Sequence, residues 1–155
     1  MSTPTAIIIR PLTDADHAVW ASLWRGYLDF YQTTLPDEQV ALTWRRLHDP
    51  LVPLHAFGAE VEGVVLGIVH YLYHASAWTR GPYCYLQDLF TAPEARGRGV
   101  GRALIEAVYA AARDAGADRV YWLTQHDNAT ARALYDRVAS SSGFIQYRKR
   151  FDPPA

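Results

Sequence analysis

Residues 94 to 105 read Glu-Ala-Arg-Gly-Arg-Gly-Val-Gly-Arg-Ala-Leu-Ile, three glycines at alternate positions that run straight into an apolar-periodic helix. Few local sequences restrict a fold so tightly. Gly97, Gly99 and Gly101 allow the backbone conformations that other residues resist and let it approach a bulky group closely. The first N–H groups of a helix lack intrahelical partners, and the helix dipole adds positive potential there, so the arrangement suits a phosphate. Two common phosphate loops are excluded. A dinucleotide fingerprint needs a sixth-position glycine, but counting from Gly97 that position is Arg102 and from Gly99 it is Leu104; a P-loop needs Gly-Lys-Ser/Thr, which occurs nowhere.

The periodicities on either side supply an architecture. Ala6 to Arg10 reads as a strand, and Thr13 is placed to cap a helix in which Val19, Trp20, Leu23, Trp24, Tyr27, Leu28 and Tyr31 recur at three-to-four spacing. Pro36 starts a second helix that runs to about Leu47 and stops before Pro50. Strands follow at 54–61 and 64–73, joined by a tight turn at Glu62-Gly63. The remaining order is strand 83–91, helix 99–115, strand 119–124, helix 128–138 and strand 144–150. The expected class is α/β, an α+β arrangement around a mixed sheet, in a single domain over residues 1–155.

Composition narrows the partners. Fifteen basic against sixteen acidic residues leave a net charge of -1, with no electrostatic footprint for nucleic acid or an anionic membrane. The single cysteine, Cys84, falls in an apolar strand, is expected to be an inert core thiol, and suits a reducing compartment. Met1 to Ile9 does not have the pattern of a secretory signal, and no apolar run approaches the ~18 residues of a membrane span. A cytoplasmic location is expected. His55, His70 and His74 lack a carboxylate or cysteine at matching spacing and are expected to be core or cleft residues, with no metal bound.

The loop fits the pattern Arg/Gln-x-x-Gly-x-Gly/Ala through Arg96, Gly99 and Gly101. It follows the strand Tyr83-Cys84-Tyr85-Leu86-Gln87-Asp88-Leu89-Phe90 and precedes Asn128, the chain's sole asparagine, and a helix ending in Leu134-Tyr135. In these blocks and their order the chain resembles the GNAT family of N-acetyltransferases. The resemblance covers nearly the whole chain and implies a mixed, mostly antiparallel sheet with helices on both sides. It implies acetyl-coenzyme A as the acyl donor. The backbone N–H groups of Gly97, Arg98, Gly99, Val100, Gly101 and Arg102 would then hold the pyrophosphate, with Arg96 and Arg102 adding charge. Backbone groups of Leu89, Phe90 and Thr91 would face the thioester and pantetheine, and an N–H near Leu89 would cradle the oxyanion. Asn128 would bind the pantetheine arm, cap the helix that follows it, or both. Tyr135 stands at the family's position for the acid that protonates the departing thiolate; a phenol, with a pKa of about 10 against about 8.5 for a thiol, suits that task.

The acceptor amine must lose a proton, and Asp88 is the best-placed acid for that role or for holding the substrate, with a structural role at the strand end equally open. Glu60, Glu62 and Asp127 are weaker candidates. Most of the aromatic face of the first helix, with Phe30 and Trp44 nearby, is expected to be core, leaving Tyr27 and Tyr31 to line the acceptor side. The segments 35–38, 70–74, 81–90 and 143–148 look like the branch near the fungal histone, polyamine and D-amino-acid acetyltransferases and their bacterial relatives. That resemblance implies a primary amine as acceptor, an amino acid, polyamine or protein lysine, and the near-neutral charge favours a small molecule. Residues 136–142 make a longer link from Leu-Tyr to Gly143-Phe144 than the family commonly has, which bears on how the last strand joins the sheet and on the homodimer that the family implies. An acyl-coenzyme A sensor without catalysis, or a transferase for a longer acyl group, are the alternative readings.

Overall fold

Two consecutive apolar strands joined by Glu62-Gly63 begin the sheet, because both turn residues take left-handed conformations, φ 52° and 82°, that match the twist of a two-residue hairpin. The computed structural model describes residues 5–152, so the outermost residues of the expected 1–155 domain, and the first four of the Met1–Ile9 start read for a signal, lie outside the described residues. The chain divides into two compact units, Met1–Leu123 and Thr124–Ala155.

In the first unit the order is β1 (Ile7–Arg10), α1 (His17–Phe30), α2 (Asp37–Leu47), β2 (Leu54–Val61), β3 (Val64–His74), β4 (Tyr83–Thr91), α3 (Val100–Asp114) and β5 (Arg119–Tyr121). The sheet order is β1-β2-β3-β4-β5; the first four strands are antiparallel neighbours, and β5 runs parallel to β4 after the α3 crossover. A mixed, mostly antiparallel sheet is therefore present as expected.

Helices cover both faces. The aromatic stripe of α1 buries Trp20, Leu23, Trp24 and Leu28 in one cluster with Val40 of α2, Val65 and Ile68 of β3, and Ala92. On the opposite face α3 buries Val100, Leu104, Ile105 and Val108, each side chain stabilising the unit by about 1.5–3 kcal/mol. Gly67 permits that packing, since a Cβ there would stand 2.7 Å from Cγ1 of Val100 and 3.1 Å from Cδ1 of Leu104. The first strand is tied to α1 by charge. Asp16 sits in the turn Asp14–Asp16 that leads into α1, and its carboxylate receives two N–H bonds from Arg10, at 2.7 and 3.1 Å, and one from the Thr13 backbone at 2.7 Å. Arg10 also reaches Glu60 at 3.3 Å.

The second unit contains α4 (Ala129–Val138), and Asn128 caps it, its side-chain oxygen accepting from the Ala131 N–H at 3.4 Å. Two expectations are corrected. The strand expected over 144–150 does not form: Phe144, Ile145, Tyr147 and Phe151 are exposed, and no strand stands in this unit to pair with them among the described residues. The strand expected over 119–124 stops at Tyr121, because β4 is paired with it only through Tyr85.

Candidate active site

A strand of alternating polarity places every second side chain on the same face, so regular pairing would put Cys84, Leu86 and Asp88 together. The sheet breaks that alternation. His70 pairs with Asp88 but Tyr71 pairs with Leu86, which leaves Gln87 as an extra, exposed residue in a β-bulge. Leu86 thus stays with Tyr71 while Asp88 passes to the face of His70, the side of α1. Beyond Tyr85 the edge of β4 that faces β5 has no strand partner among the described residues. Leu89, Phe90 and Thr91 lie in this stretch, so backbone N–H and C=O groups on that edge are available to a ligand.

Asp88 is the centre of a hydrogen-bonded cluster. Nδ1 of His70 lies 3.1 Å from its Oδ2, and the Tyr27 phenol of α1 is near enough to the same carboxylate to feel its charge. Behind His70, Nε1–H of Trp20 donates to Nε2 at 3.0 Å. His70 is 1% exposed, with Trp24 beside it at 5.0 Å between ring centroids. Burial and the Asp88 charge push the Tyr27 phenol far above its ordinary pKa, and the same two causes raise those of Tyr31 and Tyr85. Tyr27 and Tyr31 meet edge to face at 5.0 Å. The three residues expected on the acceptor side, Tyr27, Tyr31 and Asp88, are therefore together: one carboxylate bordered by phenols that remain neutral. Tyr85, His70 and Trp20 are additions to that set. The sequence marks His70 as a core or cleft residue and Trp20 as part of the aromatic face, and the signal that joins them to Asp88 is a cross-strand register that the bulge displaces.

The glycine loop lies between β4 and α3. Gly97 and Gly99 have φ of 76° and 83°, and a Cβ built on either would meet nothing within 4 Å, so left-handed backbone borders open space. Gly99 is the N-cap of α3, and the following amides of Val100, Gly101 and Arg102 come before the first full helical turn. The residues present fit a pyrophosphate. Arg96 places its guanidinium 5.8 Å from the Phe90 ring centroid, with Nε 3.4 Å from the Thr91 carbonyl. Arg102 is engaged by Glu106 at 3.0 Å, and Arg98 is exposed.

Asn128 and Tyr135 both lie in the second unit, Asn128 as the cap of α4 and Tyr135 half-buried on it. The weaker acids separate from the cluster. Glu60 bonds Arg10, Glu62 occupies the hairpin turn, and Asp127 is exposed before α4. His74 bonds the Tyr121 hydroxyl at 2.8 Å and His55 packs beside Tyr71, and no group of three or more metal-ligating side chains is gathered among the described residues. Cys84 is fully buried, and burial pushes its thiol up to about 11. No helix among the described residues is long and apolar enough to cross a membrane. A depression of about 230 Å³ lined by Leu12, Leu47, His48, His55, Phe57 and Tyr71, among others, includes neither the carboxylate cluster nor the glycine loop.

Comparison with known proteins agrees with this geometry. The sequence profile of the Acetyltransferase (GNAT) family matches residues 17–139. The D-amino-acid N-acetyltransferase of Saccharomyces cerevisiae is 37% identical over 92% of this chain and 90% of its own. The type 1 aminoglycoside N(6')-acetyltransferase of Stenotrophomonas maltophilia is 33% identical over 99% and 98%. Among solved structures, an aminoglycoside N-acetyltransferase in complex with coenzyme A superposes with a TM-score of 0.78 at 22% identity, over 97% of this chain and 99% of that one, a likeness of fold. With a helix-capping glycine loop after a bulged strand, and a profile match that runs from α1 to the end of α4, the chain belongs to the acetyltransferase (GNAT) family.

Proposed function

We propose that the chain moves the acetyl group of acetyl-coenzyme A to the primary amine of a small molecule, by direct attack of the amine on the thioester. As a member of its family it is an acyltransferase dependent on acetyl-coenzyme A; the acceptor and the assignment of steps are the proposal. The observation that carries it is the Asp88 carboxylate, paired with His70 on the α1 face and bordered by Tyr27, Tyr31 and Tyr85. A lone carboxylate among neutral phenols suits an ammonium group, by charge at one side and by aromatic faces around it. The relatives named for D-amino acids and aminoglycosides also act on amines, which supports the same class.

In this reading the acceptor enters as ammonium and gives a proton to Asp88, directly or through water. The freed lone pair attacks the thioester carbon. A backbone N–H at Leu89, on the edge of β4 that β5 leaves open, stabilises the oxyanion. As the intermediate collapses the carbon–sulfur bond breaks, the electron pair goes to sulfur, Tyr135 supplies the thiolate's proton, and the nitrogen gives up its second proton to restore the phenol, leaving the neutral amide. The amides and charge of residues 96–102 hold the pyrophosphate, Phe90 and Thr91 contribute backbone to the pantetheine, and Asn128 binds the same arm in addition to its capping bond. A reducing, cytoplasmic setting is supported by the burial of the sole cysteine, and a homodimer by the exposed apolar side chains of residues 144–151.

Thiol release from acetyl-coenzyme A against polyamines, L- and D-amino acids, aminoglycosides and a histone-tail peptide tests the reading, with propionyl- and succinyl-coenzyme A as competing donors. Release should depend on a small amine and fall more than about tenfold in Tyr135→Phe, with coenzyme affinity retained. Tight coenzyme binding without release for any acceptor would replace transfer with sensing.

A further inference from the structure

A buried polar relay starts at Trp20 of α1. An indole N–H can only donate, so the 3.0 Å bond from Nε1 of Trp20 requires Nε2 of His70 to be the acceptor. The ring proton then sits on Nδ1, which lies 3.1 Å from Oδ2 of Asp88 and donates to it. Trp20 is 0% and His70 1% exposed, so water does not compete for either bond. Their placement is over-determined. His70 and Asp88 are direct cross-strand partners at the last register position before the bulge, and the His70 ring is flanked by Trp20 at 6.1 Å and Trp24 at 5.0 Å.

We infer that His70 is a positioning residue for the acceptor: Trp20 fixes its tautomer, and the Nδ1–H so created fixes the rotamer of the Asp88 carboxylate that receives the amine. The inference rests on the reading of Asp88 as the acceptor-facing acid. Asp88 has two neighbours of different origin, the Tyr27 phenol from α1 and Nδ1 of His70 from β3. Tyr27 is on the proposed acceptor side, whereas His70 is 1% exposed and held from behind by Trp20. The orientation of the carboxylate is therefore set by the buried partner. Trp24 provides an internal control, since its ring lies in the same cluster but its own Nε1–H is buried without a hydrogen-bond partner among the described residues.

Long-range 1H–15N correlation spectra of the full-length protein give the first test. His70 should show the Nδ1–H tautomer. Trp20→Phe should release it to a mixture, while Trp24→Phe, which removes the same N–H from the neighbouring ring, should leave it unchanged. A proton on Nε2 in wild type, or equal effects of the two substitutions, would overturn the proposal, and neither readout needs a His70 variant that folds. Kinetics give the second test. His70→Leu should raise the acceptor KM about tenfold with the acetyl-coenzyme A KM unchanged, and His70→Asn, whose amide nitrogen stands where Nδ1 was, should recover most of that loss. A merely structural role predicts the opposite order, because Asn leaves the larger gap. Asp88→Asn separates the two failures. If it leaves the acceptor KM unchanged, the reading of Asp88 falls and the inference with it; if it raises that KM while His70→Leu does not, only the role of His70 falls.

Discussion

Replacing Asp16 by Asn keeps the shape of the side chain and removes its charge, so it isolates what the link between β1 and α1 contributes. The carboxyl group is held down from its ordinary 3.8 to about 2, first by the Arg10 hydrogen bonds, against the cost of burial, and then by the Thr13 backbone N–H. At about 1.4 kcal/mol per tenfold change in proton affinity, that depression corresponds to about 2 kcal/mol of folding stability at neutral pH. The side chain is only 10% exposed, so solvent screening takes little from the figure. Arg10 is raised still further by the same contacts and by Glu60, but it stays protonated at every accessible pH, which leaves Asp16 as the group that makes the link titrate. Because the folded-state pKa is the lower one, the contribution is complete above about pH 4 and disappears as pH falls toward 2. Urea denaturation of wild type and Asp16→Asn at pH 7, 5, 3.5 and 2.5 should therefore show a gap of about 2 kcal/mol at the first two values that narrows to about 1 kcal/mol at the last. Equal midpoints at pH 7, or a gap independent of pH, would refute the account.

Three further expectations concern the site. Gly67→Ala should cost about 1–3 kcal/mol, since the new methyl meets Val100 and Leu104, and should raise the acetyl-coenzyme A KM by displacing the start of α3; wild-type stability together with wild-type KM would contradict the packing. Gly99→Val, at φ 83°, should weaken coenzyme binding measured by calorimetry, whereas Gly63→Val, at φ 82° in the β2–β3 turn, should lose about 1–2 kcal/mol of stability and leave that binding alone. Tyr31→Ala should raise the acceptor KM and spare that of the coenzyme, and an unchanged acceptor KM would remove Tyr31 from the site.

Much of this was legible in the chain because the information was local. The β2–β3 hairpin follows from Glu62-Gly63 between apolar runs, and the glycine loop and the aromatic stripe of α1 follow from spacing alone. What escaped was non-local. The pattern of 144–150 states only that the segment would fit a sheet, and a strand exists only where a neighbour supplies the other half of its hydrogen bonds. His70 gave no sign of its link to Asp88, since period-two counting from Cys84 and Leu86 assigns Asp88 to the opposite face. The residue that corrects the count, Gln87, has nothing in its own chemistry to mark it.

Gln87 also sorts β4 into two stretches with separate obligations. Before it, Tyr83, Cys84 and Tyr85 are laddered on both sides; after it, the strand is laddered to β3 alone. Deleting this one residue would leave every inside and outside assignment as it is, because Leu86 would still face Tyr71 and Asp88 would still face His70. The deletion would remove the bulge, and with it an obstacle to a parallel ladder continuing past Tyr121 over the edge proposed to face the thioester. Such a protein should keep its β3–β4 ladder and, on the proposed reading of that edge, lose acetyl transfer. A substitution scan, which can change the identity of an exposed glutamine but not its existence, would pass over the position where stability and activity part company.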